Sequence, residues 1–216
     1  MNDDPLPFLA PVGSLWVLFV MATEQEYGPN LRAAIRPLIT GVGPVEAAAM
    51  TGAALGALAG KGRLPDLVFS LGTAGSRTLD HAGIYQIASV AYRDMDASPL
   101  GFARGVTPFL GEAATIAIAH RIPGIPAASI STGGAIISGA AYGGIHEQMV
   151  DMESYAVFRA AQHHGVPMIG LRGISDGREE LTGLPDWTAY LHEIDGKLAS
   201  AVDAFRGHVE AGRFSL

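Results

Sequence analysis

Three turns of the 216-residue chain carry acids where an apolar run ends, and a fourth carries a lone hydroxyl. "MATEQE" offers Glu24 and Glu26 after the first apolar run. "MVDMES" sets Asp151 and Glu153 around Met152, between a buried strand end and an amphipathic helix. "RGISDG" closes the last core run with Ser175 and Asp176, and "SLGTAGS" supplies Thr73 among glycines. Carboxyl groups gathered in this way can move protons, grip hydroxyls or stabilise a developing cation. Each also has a plainer use. An acid before a helix stabilises its dipole by about 0.3–1 kcal/mol. Thr73 suits a turn, His163–His164 before Gly165 suit a helix end, and Gly133–Gly134 suit a tight backbone turn. The acids gain weight because they recur at matching places along one sheet edge.

The elements that must position them alternate. Residues 14–22 form a continuous apolar run, as in a strand covered on both faces. A helix is expected over 24–35, interrupted by "YGPN". "RPLITGVGP" reads as a short strand and glycine turn, and Pro44 opens a helix to about Ala59. "PDLVFSLGTAGS" is a buried strand, "GIYQIASVAYRDMD" a longer alternating one, and "IPAASISTGGAIISG" another with a glycine-rich exit. "AATIAIAHRI" fits strand or helix. Val157, Ala160, Ala161 and His164 follow helical spacing, with Gly165 as a C-terminal cap. "VPMIGLRGISD" is the last strand. A final helix is expected from Asp186, with Leu191, Ile194, Leu198, Ala201, Val202 and Phe205 as its buried stripe. The pattern implies an α/β fold: a single three-layer domain, its central sheet mixed and largely parallel, with helices on both faces. Residues 1–13 read as an N-terminal extension and 14–216 as the domain.

Composition narrows the function. Hydrophobic residues make up 49%, enough for a large core. The absence of cysteine excludes disulfides and thiolate metal sites and fits a reducing cytoplasm. A net charge of -7 argues against binding nucleic acid. No apolar run reaches the roughly 20 residues of a membrane-spanning helix. Neither a GxxxxGK[ST] nor a GxGxxG loop occurs, so nucleotide phosphate is not the evident ligand.

Taken in order, "MATEQE", "TGVGPVEAA", "SLGTAGS", "RDMDASPLGF", "STGGAIISG", "VDMES" and "RGISDG" resemble the purine nucleoside phosphorylase superfamily. Within it the likeness is greatest to the 5′-methylthioadenosine/S-adenosylhomocysteine nucleosidases. The resemblance implies that Glu26 orients an attacking water, Glu153 accepts hydrogen bonds from ribose hydroxyls, and Asp176 protonates or hydrogen-bonds N7 of the departing purine. It places Met152, Thr73 and Val42 around the sugar, with Asp151 supporting the wall. Ile136 would flank the adenine, with Ile137 nearby, and Ser175 sits beside Asp176. Phe102 and Pro108 stand where relatives reach a partner subunit's 5′ pocket. No metal and no cofactor are implied, and a homodimer is. The partner molecule is a small purine nucleoside, with 5′-methylthioadenosine or S-adenosylhomocysteine favoured and adenine released.

Other readings stay open: a futalosine hydrolase-like nucleosidase, a phosphate-dependent phosphorylase, or a non-catalytic nucleoside-binding protein of this fold. The short interval from Glu26 to Gly41 omits a hairpin that commonly bears a phosphate-binding arginine. That omission favours hydrolysis, although Arg32, Arg36, Arg93 and Arg172 are present.

Overall fold

Apolar runs with little alternation become strands here because both faces of the sheet are covered. The computed structural model describes residues 8–216. The strands are β1 (Leu9–Val12), β2 (Leu15–Met21), β3 (Leu38–Ile39), β4 (Leu67–Gly75), β5 (Ile84–Tyr92), β6 (Thr115–Ala117), β7 (Ala127–Thr132), β8 (Met149–Asp151) and β9 (Met168–Asp176). The helices are α1 (Pro29–Ala34), α2 (Pro44–Gly60), α3 (Ser154–His163), α4 (Leu184–Thr188) and α5 (Leu191–Glu210). β4 and β9 are buried along nearly their whole lengths, which is why they read as unbroken apolar stretches.

The sheet is mixed, with parallel pairings prevailing, and part of it closes on itself. β4 runs parallel to β9, β9 antiparallel to β5, β5 parallel to β7, and β7 parallel to β8. β8 then returns antiparallel to β4 at Gly75↔Val150. β2 extends from β4 as a parallel wing, flanked by β1 and β3. At the irregularity between Ala74 and Gly75, Gly75 pairs with Asp176 as well as with Val150. Two oppositely directed sets of strand ends therefore meet at Gly75. The single sheet edge expected from sequence is in fact this junction.

Helices cover both faces. α2 turns Ala47, Thr51, Leu55 and Leu58 inward, a helical stripe that packs with Val157 and Ala161 of α3. On the other face α5 buries Ile194, Leu198, Val202 and Phe205 against β2, β4 and β9. Phe205 meets Phe69 edge-on at 5.1 Å, and Phe69 lies 5.5 Å from Phe19. Asp195, buried within that stripe, accepts hydrogen bonds from the amides of Asn30 (2.9 Å) and Leu31 (3.0 Å). This carboxylate satisfies the otherwise unpaired amides at the start of α1.

Two expectations of helix are corrected, and one open reading is decided. The helix expected over 24–35 is only Pro29–Ala34, because Gly28–Pro29 breaks the run and leaves the preceding turn to carry Glu26. Of the two readings open for "AATIAIAHRI", strand is the one found, as a three-residue edge strand. Asp186 does not begin the long helix: its carboxylate accepts from the amides of Thr182 and Gly183, capping α4 instead. Of the expected extension, 1–7 lie outside the described residues, and Leu9–Val12 pair with β2 as an edge strand. Among the described residues no helix is long and apolar enough to cross a membrane.

Candidate active site

A cavity of about 400 Å³ opens where the two sets of strand ends meet. Three acids reach it from separate elements. Glu26 comes from the turn after β2, Glu153 from the residue before α3, and Asp176 from the end of β9.

Glu26 is nearly buried, and its Oε1 accepts from both the amide (2.7 Å) and the hydroxyl (2.6 Å) of Thr73. Burial raises its pKa above the usual carboxyl value, while the two Thr73 bonds and the nearby Arg172 charge pull it back. Glu153 accepts the Gly43 amide at 2.8 Å. Gly43 holds φ at 101°, a conformation that favours glycine, and it aims this amide outward at the start of α2. Burial pushes the Glu153 pKa up to about 7, with the Asp151 carboxylate adding to the effect. Burial also raises the pKa of Asp176, opposed by the Ser175 hydroxyl, which donates to Oδ2 at 2.7 Å. A Cβ on Gly75 would collide with both Asp176 Oδ1 and the buried Tyr142 hydroxyl. Only glycine lets the carboxyl group sit over the strand crossing.

Asp151 borders the cavity but spends its oxygens inward. Oδ1 accepts from Thr132 (2.6 Å), and Oδ2 from the Ser154 amide (2.9 Å) and the Arg172 guanidinium (3.1 Å). It therefore braces the wall rather than facing a ligand. Arg172, buried, also donates to the hydroxyls of Ser70 and Ser154. Behind the main cavity lies a recess of about 10 Å³ bordered by Glu26, Thr73, Glu153 and Arg172. That is about the room one water needs, with several polar partners around it.

Thr73, Val42, Ile136, Met152 and Ser175 line the main cavity with the acids. Ile137, Phe102 and Pro108 do not line it. Ile137 is half-buried elsewhere, leaving Ile136 as the wall residue of the pair. Phe102 lies edge-on to the exposed Phe109, 5.4 Å away, in the long loop between β5 and β6. Of that loop only its first residue, Arg93, lines this cavity. Among the described residues no group of three His, Asp or Glu side chains is placed to hold a metal ion.

Sequence reasoning missed three wall residues and named Arg93 only among arginines that could serve phosphate. Arg93 lines the cavity while donating to the carbonyls of Ser131, Gly133, Ala135 and Asp151. Leu181, Leu184 and Trp187 complete an apolar outer wall, and the Trp187 indole donates to Thr73 Oγ1 at 3.1 Å. Arg172 was noted only as a possible phosphate ligand. A cation inside the apolar run "MIGLRGISD" was itself the available signal, since a buried arginine needs an anionic partner.

A family model described as the phosphorylase superfamily matches residues 37–205. No curated protein matches the chain. Solved structures of similar fold include futalosine hydrolase of Helicobacter pylori, at 18% identity and TM-score 0.73, covering 87% of this chain and 95% of that one. The 5′-methylthioadenosine/S-adenosylhomocysteine nucleosidase from Helicobacter pylori, with butyl-thio-DADMe-Immucillin-A, is 18% identical at TM-score 0.72, over 90% and 97% of the two chains. The nucleosidase of the same name from S. pneumoniae, with the transition-state inhibitor MT-ImmA, is 16% identical at TM-score 0.73, over 89% and 99%. At such identities the likeness is one of fold.

Proposed function

The chain belongs to the phosphorylase superfamily, and from that premise we propose that it hydrolyses the N-glycosidic bond of a purine nucleoside. One observation carries the reading: Glu26, Glu153 and Asp176, far apart in sequence, border a single cavity, and burial raises the proton affinity of each.

The chemistry follows from what each group can supply. A purine leaves poorly as an anion and well once protonated. Asp176, whose hold on a proton burial strengthens, gives that proton to N7 as the bond to C1′ breaks. The sugar becomes oxocarbenium-like, as in glycoside cleavage. Glu153, fixed by the Gly43 amide, holds the ribose hydroxyls and favours the growing positive charge. Glu26 takes a proton from a water held in the small recess, and the water oxygen bonds to C1′. The products are free base and free sugar, and the proton returns from Glu26 to Asp176 through solvent.

Two features favour water over phosphate as the attacking group. The guanidinium groups at the cavity are engaged: Arg172 with Asp151, Ser70 and Ser154, and Arg93 with four backbone carbonyls. The groups bordering the recess are two carboxyls as well as Arg172, which disfavours a dianion. The apolar wall of Ile136, Met152, Leu181, Leu184 and Trp187 suits a thioether substituent at the 5′ position. 5′-Methylthioadenosine or S-adenosylhomocysteine is therefore the favoured substrate, in a cytoplasmic enzyme. A homodimer is part of the proposal, because Phe109 and Leu100 are 95% and 76% exposed and a second copy would cover them.

The test is base release from methylthioadenosine, S-adenosylhomocysteine, inosine and futalosine, each with and without phosphate. Adenine released from the thioadenosines without phosphate is the expected result. Strict dependence on phosphate would assign a phosphorylase, and binding without release would assign a nucleoside-binding protein.

A further inference from the structure

Trp187 sits on α4, the single turn between β9 and α5, and reaches back across the cavity to Thr73. Its indole Nε1–H donates to Thr73 Oγ1 at 3.1 Å. The same oxygen lies 2.6 Å from Glu26 Oε1, and the Thr73 amide lies 2.7 Å from it. An indole N–H can only donate, and a hydroxyl carries a single proton. With the indole occupying a lone pair of Oγ1, the threonine proton is left pointing at Glu26. The outer wall that bears Trp187 is itself anchored: the Leu181 amide donates to Ser138 Oγ at 2.8 Å, and Asp186 ties together the turn from Thr182 to Gly183.

We propose that Trp187 is a positioning residue for Glu26, acting through the Thr73 hydroxyl, so that the outer wall of the cavity orients the group that activates water. This rests on the reading of Glu26 as the water-activating base. The charged groups facing Glu26 are Arg172 from β9, Asp151 from β8 and Glu153 ahead of α3. None of them touches Trp187 through a hydrogen bond, so replacing the indole leaves them in place. The sign follows from the Thr73 bond, which favours the ionised carboxylate. Without the indole the hydroxyl turns freely, Glu26 holds its proton more tightly, and the acidic limb of the rate profile moves to higher pH.

The experiment measures kcat against pH for adenine release from methylthioadenosine. Trp187→Phe keeps an aromatic ring in the wall and removes the donor. Its acidic limb should rise by roughly half a unit to one unit, with kcat at neutral pH down about tenfold. In a Thr73→Val background, where the indole has lost its acceptor, the same change should leave the limb unmoved. An unmoved limb in the single variant, or an equal shift in both backgrounds, would overturn the relay and leave Trp187 as packing alone. The chain has two tryptophans, so a second readout needs neither turnover nor a destabilising change. In protein labelled with ¹⁵N-tryptophan, the Trp187 indole resonance should titrate with Glu26 and lose that titration in Glu26→Gln. A resonance indifferent to that substitution overturns the proposal. Full activity in Glu26→Gln would remove the base itself, and the relay with it. An inactive Glu26→Gln with an unmoved Trp187→Phe limb removes the relay only.

Discussion

A carboxyl group proposed to protonate a leaving base must hold its proton more tightly than an ordinary aspartate, and burial raises the Asp176 pKa in that direction. The Ser175 hydroxyl opposes this only in part, and it also fixes which oxygen faces the ligand. Asp176→Asn keeps the shape and removes the proton. Its kcat for methylthioadenosine should fall about 10²–10⁴-fold while thermal unfolding stays near the parent's. The loss should be far smaller for a nucleoside analogue whose leaving group is 4-nitrophenolate, which departs without protonation. Equal losses on both substrates would show that Asp176 positions the ligand rather than protonates it. That Asp176, Glu26, Glu153 and Thr73 border one cavity was legible in the sequence because each lies near or just past the end of a strand, where ligands collect in α/β sheets. Trp187 was not: it reaches the site only through the loop after β9, whose path no local pattern encodes.

At the scale of elements, the Asp151–Arg172 pair joins β8 to β9 across β4, which lies between them in the sheet. Both side chains are almost wholly buried. Removing one partner from such a pair strands the other charge in a low-dielectric setting. Arg172→Met should lower the free energy of unfolding by about 3–5 kcal/mol, measured by urea titration. Asp151→Asn introduced alongside it should recover part of that loss, because the uncompensated charge is gone. The strands and α2 were readable for reasons that act locally: covered faces give apolar runs, and Pro44 marks a helix start. The closed ring was not readable, since the pairing of β9 with both β4 and β5 joins segments more than eighty residues apart. The turn bearing Glu26 was misread as helix for a related reason. Its shape answers to Thr73 on β4, a partner outside any local window.

For the molecule as a whole, a cavity ringed by buried acids makes stability depend on pH in an uncommon direction. Glu153 titrates near pH 7 in the folded chain against an ordinary value of 4.5, and Glu26 and Asp176 shift the same way. Between those limits the folded state holds protons that the unfolded chain has released. Stability therefore falls as pH rises from about 4.5 to about 7. Asp96 and Asp186 act oppositely: local hydrogen bonds hold their pKa values down, so their contribution is lost only as pH drops below the ordinary aspartate range. Stability should peak near pH 4.5–5 and decline toward neutrality by roughly 1–3 kcal/mol, measured by urea unfolding at fixed ionic strength. In Glu153→Gln the decline should flatten, because a group that titrates near pH 7 in the folded chain is gone. A bound nucleoside should act differently, raising stability across this range in proportion to its occupancy of the folded state. The stability that the buried acids cost toward neutrality is then offset by whatever ligand the cavity binds.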